Sequence, residues 1–303
     1  MPIYLDNAAT TRLDPRVLEA MLPYLTERFG NPASRTHAFG WEAEEAVETA
    51  RRQVAASIAA DPQDVVFVSG ATEANHLALR GVLNGYRARG RHCVTSAIEH
   101  SSILETSEAL RAEGFQVTTL GVDREGRIDL EELGAALRED TVLVSVMHGN
   151  NEVGTLQDLA AIGSLCRARH VLFHTDATQS FGRIPINVEV MKIDLLSASA
   201  HKIHGPKGCG ALFVRRRSPR VALVPDHRGG GQERGLRSGT LNVPAIVGFG
   251  AAAQLMTPGG AAASGRAPRS PGDRNPARRG GREGERRKRP PAPRHLEPDR
   301  SGH

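Results

Sequence analysis

The run Ser197-Ala198-Ser199-Ala200-His201-Lys202-Ile203-His204-Gly205-Pro206-Lys207-Gly208 sets a lysine just past an apolar stretch, in a turn rich in Ser, His and Gly. An amine fixed there, with its charge suppressed by its surroundings, suits Schiff-base formation with an aldehyde cofactor. Most lysines are solvated loop residues, but loops placed by the end of a sheet are where catalytic side chains concentrate. Upstream, His174-Thr175-Asp176-Ala177-Thr178-Gln179 follows the strand-like His170–Phe173. Asp176 there is either a helix cap or, if pyridoxal phosphate is bound, the carboxylate that keeps the ring nitrogen protonated. A third segment, Ser69-Gly70-Ala71-Thr72-Glu73, combines a glycine with hydroxyls before a helical pattern. Free N–H groups at such a helix start suit a phosphate, although Ser and Thr more often only cap helices.

These segments need a scaffold, and the periodicity supplies one. Strand-like runs at Val65–Val68, His92–Ser96, Gln116–Leu120, Thr141–His148, His170–His174, Leu195–Ser199 and Gly210–Val214 alternate with helical ones. The helical patterns lie at Ala74–Leu83, Ile103–Glu113, Leu130–Leu137 and Asp158–Arg169. Short strands separated by helices predict an α/β fold, a mostly parallel sheet covered on both faces. Pro15–Arg28, opened by Asp14-Pro15, and Trp41–Ala59 read as amphipathic helices, and Ala245–Leu255 as the last helix.

Composition divides the chain. Residues 257–303 hold 11 Arg and 1 Lys against 5 acids, a balance of +7, whereas the whole chain is +5, leaving −2 for residues 1–256. The basic balance therefore belongs to the tail. Leu296 is its only large aliphatic beside 8 Pro and 8 Gly, too little apolar surface to offset ordering entropy, so disorder is expected. The domains expected are a segment over 1–14, a cofactor-binding large domain over 15–256 and a tail over 257–303. Cys93, Cys166 and Cys209 form no disulfide framework or metal box, which suits a reducing cytoplasm. No export signal is evident, and no apolar run approaches the ~18–20 residues that cross a bilayer. A soluble, cytoplasmic protein without a metal site is expected.

Eight motifs then fall in one order: Leu5-Asp6-Asn7-Ala8-Ala9-Thr10-Thr11, Phe29-Gly30-Asn31-Pro32-Ala33-Ser34, Ser69–Glu73, Glu99-His100, Asn150-Asn151-Glu152-Val153-Gly154, Asp176–Gln179, Ser199–Gly208 and Arg237-Ser238-Gly239-Thr240. In that order they resemble the NifS/IscS-like cysteine desulfurases, of the class V aminotransferase family, up to about Met256. The resemblance implies the fold-type I large domain and pyridoxal 5'-phosphate as cofactor. It implies conversion of L-cysteine to L-alanine, with sulfur leaving as a persulfide for iron–sulfur cluster or thio-cofactor assembly. By matching position, Lys202 would hold the cofactor and shuttle the substrate Cα proton, and His100 would stack on the ring. Asp176 would pair with the ring nitrogen and Gln179 with its phenolic oxygen. Ala71, Thr72, Ser199 and His201 would hold the phosphate, with Thr240 reaching it from the other subunit of a homodimer, and Asn151 would orient substrate. His204 and Lys207 are read as loop structure. A sulfur-acceptor or iron–sulfur scaffold protein is the implied partner.

The family's nucleophilic cysteine and carboxylate-binding arginine lie well downstream of the lysine, in a small C-terminal domain. Here the corresponding stretch is Thr257–His303, which contains no cysteine. None of the three cysteines matches that nucleophile; each is expected as a buried structural thiol. The chain is thus expected to be inactive or impaired, and its Arg, Pro and Gly tail to be out-of-frame translation. Rival readings are another class V enzyme, an aminotransferase or selenocysteine lyase, or a nucleic-acid binder through Arg286, Arg287, Lys288 and Arg289. The tail has no aromatic residue for base stacking, which weighs against nucleic acid.

Overall fold

A computed structural model describes residues 2–256. The expected disorder and frame change of residues 257–303 lie outside the described residues.

Seven strands form one sheet in the order β1-β7-β6-β5-β4-β2-β3. They are β1 (Val65–Val68), β2 (His92–Ser96), β3 (Gln116–Leu120), β4 (Thr141–Ser145), β5 (Leu172–Asp176), β6 (Leu195–Ser199) and β7 (Gly210–Val214). Only β7 runs against its neighbours, pairing antiparallel with β1 and β6; the remaining pairs are parallel. The mostly parallel sheet expected from the alternation is therefore present. Two strands differ at their ends. The fourth stops at Ser145 rather than His148, and the fifth is displaced to finish at Asp176 itself, so that carboxylate closes a strand instead of following one.

The helices are α1 (Pro15–Thr26), α2 (Ala38–Ala56), α3 (Ala71–Gly85), α4 (Ser101–Ala112), α5 (Leu130–Ala136), α6 (Leu159–Ala168) and α7 (Val243–Met256). Strand residues point alternately to opposite faces, and the core divides accordingly. Val65, Phe67, Phe173, Leu196 and Phe213 pack with α2, α6 and α7 on one face. Val66, Leu172, Leu195, Leu212 and Val214 pack with α3 and α4 on the other. Both faces are covered, which is why the strands read as apolar runs. Asp14 caps α1 through its side chain, ahead of Pro15 at the first helical position, the N-terminal signature legible in the sequence.

Because β1, β2, β4, β5 and β6 point the same way, Val68, Ser96, Ser145, Asp176 and Ser199 all end at one edge of the sheet. Open α/β sheets bind ligands at that edge. Gly210 starts β7 there, against the turn at Gly70: a Cβ on it would meet Gly70 Cα and Ala198 O at 2.7 Å. A glycine is required for the two turns to approach so closely.

Candidate active site

A cavity of about 930 Å³ opens at this edge, lined by Ala71, Thr72, His100, Asn151, Asp176, Gln179, Ser199, His201 and Lys202. These are all the expected site residues except Thr240, which is exposed and does not line it. Lys207, read from the sequence as loop structure, lines the cavity as well.

Lys202 ends a short 3₁₀ turn, Ala200–Lys202, which follows β6 directly. Its Nζ donates to Ala8 O and to Ala9 O, the latter at 2.9 Å. Burial lowers the ammonium pKa, the nearby Arg183 lowers it further, and Asp176 and Asp6 oppose them. The amine is thus held by main-chain carbonyls rather than locked against a carboxylate. The N-terminal segment is fixed to the same turn: Thr11 N donates to His201 O at 2.9 Å, and His204 N donates to Thr11 Oγ1 at 2.7 Å. The sequence marks this segment as part of a motif but not as the lysine's acceptor. No signal in its composition singles out two alanine carbonyls as ligands of an amine.

Asp176 is buried, and both of its carboxylate oxygens accept hydrogen bonds. Thr178 N–H donates to Oδ1 at 2.9 Å and Asn75 Nδ2 donates to Oδ2 at 2.7 Å. Beneath it His174 bridges Ser145 Oγ at 2.9 Å and Ser197 Oγ at 3.0 Å. Burial pushes that imidazole down to about 4, against the pull of Asp176, so His174 is neutral at physiological pH. Gln179 Nε2 donates to Ala8 O at 2.9 Å, which leaves its second amide hydrogen for the cavity. His201 Nδ1 lies 3.0 Å from Thr10 Oγ1; burial and the adjacent Lys202 and Lys207 charges hold its pKa below the ordinary imidazole value.

α3 begins after Gly70 with no side-chain cap, and its first two residues, Ala71 and Thr72, line the cavity. Uncapped N–H groups of a first helical turn are donors with the positive end of the helix dipole behind them. Thr178 Oγ1 is buried without a partner among the described residues, and Thr178 lines the same cavity. Together these give an amine with a lowered pKa, a buried acceptor, an unpartnered hydroxyl and an anion seat around one space. The donor set fits an aldehyde carrying a phosphate and a protonatable ring nitrogen.

The described residues contain no cluster of His, Cys, Asp and Glu able to hold a metal, and no helix long and apolar enough to cross a membrane. All three cysteines are buried, and burial pushes each thiol up to about 12.

A doubly covered, mostly parallel sheet with a lysine and an acid at its C-terminal edge defines the large domain of a fold-type I pyridoxal-phosphate transferase. A solved NifS-like protein superposes with a TM-score of 0.82 at 43% identity, covering 87% of this chain and 72% of that one. A structure described as SspA in complex with cysteine gives 0.80 at 42% identity, over 84% and 72% of the two chains. The model of the class V aminotransferases matches residues 3–270, and the chain belongs to that family, whose members depend on pyridoxal phosphate. Among curated relatives, the cysteine desulfurase IscS of Neisseria meningitidis serogroup A is 59% identical over 254 residues, 84% of this chain. The cysteine desulfurase IscS of Escherichia coli O139:H28 is 56% identical over 257 residues. The chain spans 63% of the length of each.

Proposed function

We propose that this chain is the cofactor-binding domain of a pyridoxal-phosphate-dependent cysteine desulfurase, acting on L-cysteine to yield L-alanine and a transferable sulfur. The observation that carries this reading is the convergence, in one cavity, of the desolvated Lys202 amine, the doubly bonded Asp176 carboxylate and the uncapped start of α3. Relatives named as cysteine desulfurases at 56–59% identity support the substrate class. When bound, the cofactor supplies an aldehyde carbon for an amine and a ring that withdraws electrons from the carbon next to it.

The residues divide the remaining work. The lowered ammonium pKa of Lys202 favours its neutral, nucleophilic form, and the same amine can take a proton from the substrate Cα once freed. Asp176 would accept the hydrogen of the ring nitrogen and Gln179 would donate its free amide hydrogen to the phenolic oxygen. Ala71, Thr72, Ser199 and His201 would hold the phosphate with N–H and hydroxyl donors, and Thr240 would serve the cavity of a second copy in a homodimer. His100 would pack against the ring, and Asn151 would orient the substrate. Sulfur would pass to an acceptor protein for iron–sulfur cluster or thio-cofactor assembly.

Sulfur transfer requires a thiolate within reach of the substrate sulfur. Cys93 sits within β2, Cys166 within α6 and Cys209 against the start of β7, each buried with its thiol at about 12. None of the three is therefore placed to take sulfur from a substrate held in this cavity.

Incubation with pyridoxal phosphate, borohydride reduction and peptide mass analysis test this reading. The label is expected on Lys202; labelling of Lys207 or Lys192 would overturn the assignment. Alanine production from L-cysteine that is lost in Cys209→Ala would overturn the reading of Cys209 as a structural thiol.

A further inference from the structure

His100 is the N-cap of α4, and its Nδ1 accepts from Ser102 N–H at 3.1 Å. A backbone N–H can only donate, so Nδ1 carries no proton. Ser102 Oγ lies 2.8 Å from the same Nδ1. Behind it, Asn75 Nδ2 lies 2.9 Å from Ser102 Oγ and 2.7 Å from Asp176 Oδ2. Donor counting fixes every direction in this chain. The carboxylate oxygen accepts, so the nitrogen of the Asn75 amide, not its oxygen, faces both partners. That nitrogen has two hydrogens and no lone pair, so Ser102 Oγ accepts one of them and must direct its own hydrogen to His100 Nδ1. Asn75 is fully buried, and its Oδ1 has no partner among the described residues. Burying an amide oxygen unsatisfied is costly. The orientation is retained despite that cost, because reversing the amide would turn its oxygen toward the Asp176 carboxylate.

We propose that Asn75 and Ser102 are positioning residues that lock His100 as the Nε2–H tautomer, by a hydrogen-bond relay in which the Asn75 amide, anchored by donating to Asp176 Oδ2, also donates to Ser102 Oγ, which in turn donates to Nδ1. His100 lines the cavity, and no described residue bonds its Nε2. The relay therefore presents Nε2–H to whatever occupies the cavity: His100 enters as a donor of a hydrogen bond or proton, not as a base. The relay conveys polarity and not protons, since the Asn75 amide nitrogen cannot accept one to pass on. It also joins the two walls of the site, because Asn75 belongs to α3, Ser102 to α4 and Asp176 to β5. An occupant that tightens Asp176 acts on His100 through the same two side chains.

The significance of the donor rests on the proposed cofactor reading, but the tautomer does not, so the test uses the full chain with no cofactor added. Nitrogen-15 NMR of histidine-labelled protein reports each ring nitrogen, with His100 assigned by its loss in His100→Gln. The wild type should show His100 Nδ1 as a pyridine-type nitrogen and Nε2 as a pyrrole-type one. Ser102→Ala lies on a partly exposed helix turn and keeps the backbone donor, so Nδ1 should stay pyridine-type; losing the hydroxyl's hydrogen bond should move the His100 resonances toward those of a less strongly bonded imidazole. Ser102→Thr, which restores a hydroxyl, should return them. A pyrrole-type Nδ1 in the wild type would overturn the proposal, as would a Ser102→Ala spectrum identical to it. If the resonances behave as expected while borohydride labels a lysine other than Lys202, the cofactor reading fails and the relay stands. Labelling at Lys202 with a protonated Nδ1 removes the relay and leaves the cofactor reading in place.

Discussion

Raising the pH should remove a stabilising contribution that rests on one side chain, Glu99. Its Oε1 accepts from Ser96 Oγ at 2.6 Å and from Met147 N–H at 2.9 Å, while Oε2 is buried with no partner among the described residues. Burial pushes the carboxyl from 4.5 up to about 8; the two hydrogen bonds oppose this and the Asp176 charge adds to it. Between those two values the folded chain keeps the proton and the unfolded chain does not. Unfolding then releases a proton at this site, and the Glu99 contribution to the unfolding free energy falls by about 1.4 kcal/mol per pH unit. Over the whole window the loss reaches about 5 kcal/mol as an upper figure. The contribution is fully present below the unfolded value and gone above the folded one. Glu99→Gln removes the ionisation while keeping Oε1 as acceptor, and its NH₂ group stands where the protonated carboxyl carries its own unpartnered hydrogen. The variant should therefore lie closest to the wild type in stability near about pH 5 and gain on it as the pH rises toward about 8. Urea unfolding followed by far-ultraviolet circular dichroism across that range measures both curves. Curves that stay parallel would refute the reasoning, since they would show that Glu99 titrates alike in both states.

Other outcomes follow from the same geometry. Arg51 makes a two-pronged bond to Glu233 at 2.7 Å on each arm, donates to Val65 O and lies over Phe67, with both charged side chains nearly inaccessible. Arg51→Ala should cost about 3–5 kcal/mol in urea unfolding, because Glu233 is left buried and uncompensated; a loss no larger than that of a surface arginine would contradict this. Iodoacetamide at neutral pH should leave Cys93, Cys166 and Cys209 unmodified in the folded chain and label all three in urea, as read by mass. Rapid labelling of Cys209 in the folded state would reopen it as a nucleophile. Thr240 in the proposed role requires a second copy, so thermal stability should rise with protein concentration. A concentration-independent midpoint together with a monomer in sedimentation would exclude the dimer.

Much of this molecule is legible in the chain itself. Strands buried on both faces need apolar residues at every position, so Val65–Val68, Leu195–Ser199 and Gly210–Val214 stand out with their limits intact. Strand ends are less secure: Asp176 belongs to the fifth strand because its pairing with Ser197 extends the ladder by one register step, a long-range contact that local composition does not carry. The order of motifs likewise singles out nine residues that line the cavity, whereas Thr240, expected with them, does not line it. The partners of those residues depend on the tertiary structure. The carbonyls of Ala8 and Ala9 hold Lys202 across a separation of more than 190 residues. Asn75, a helix residue with nothing locally unusual, becomes the hinge between Asp176 and Ser102 because α3 and β5 meet at the sheet edge. Sequence periodicity reports what each segment buries. Which donor finds which acceptor is set only when the crossovers bring distant strand ends together, because a hydrogen bond needs its two atoms within about 3 Å and so depends on the finished packing.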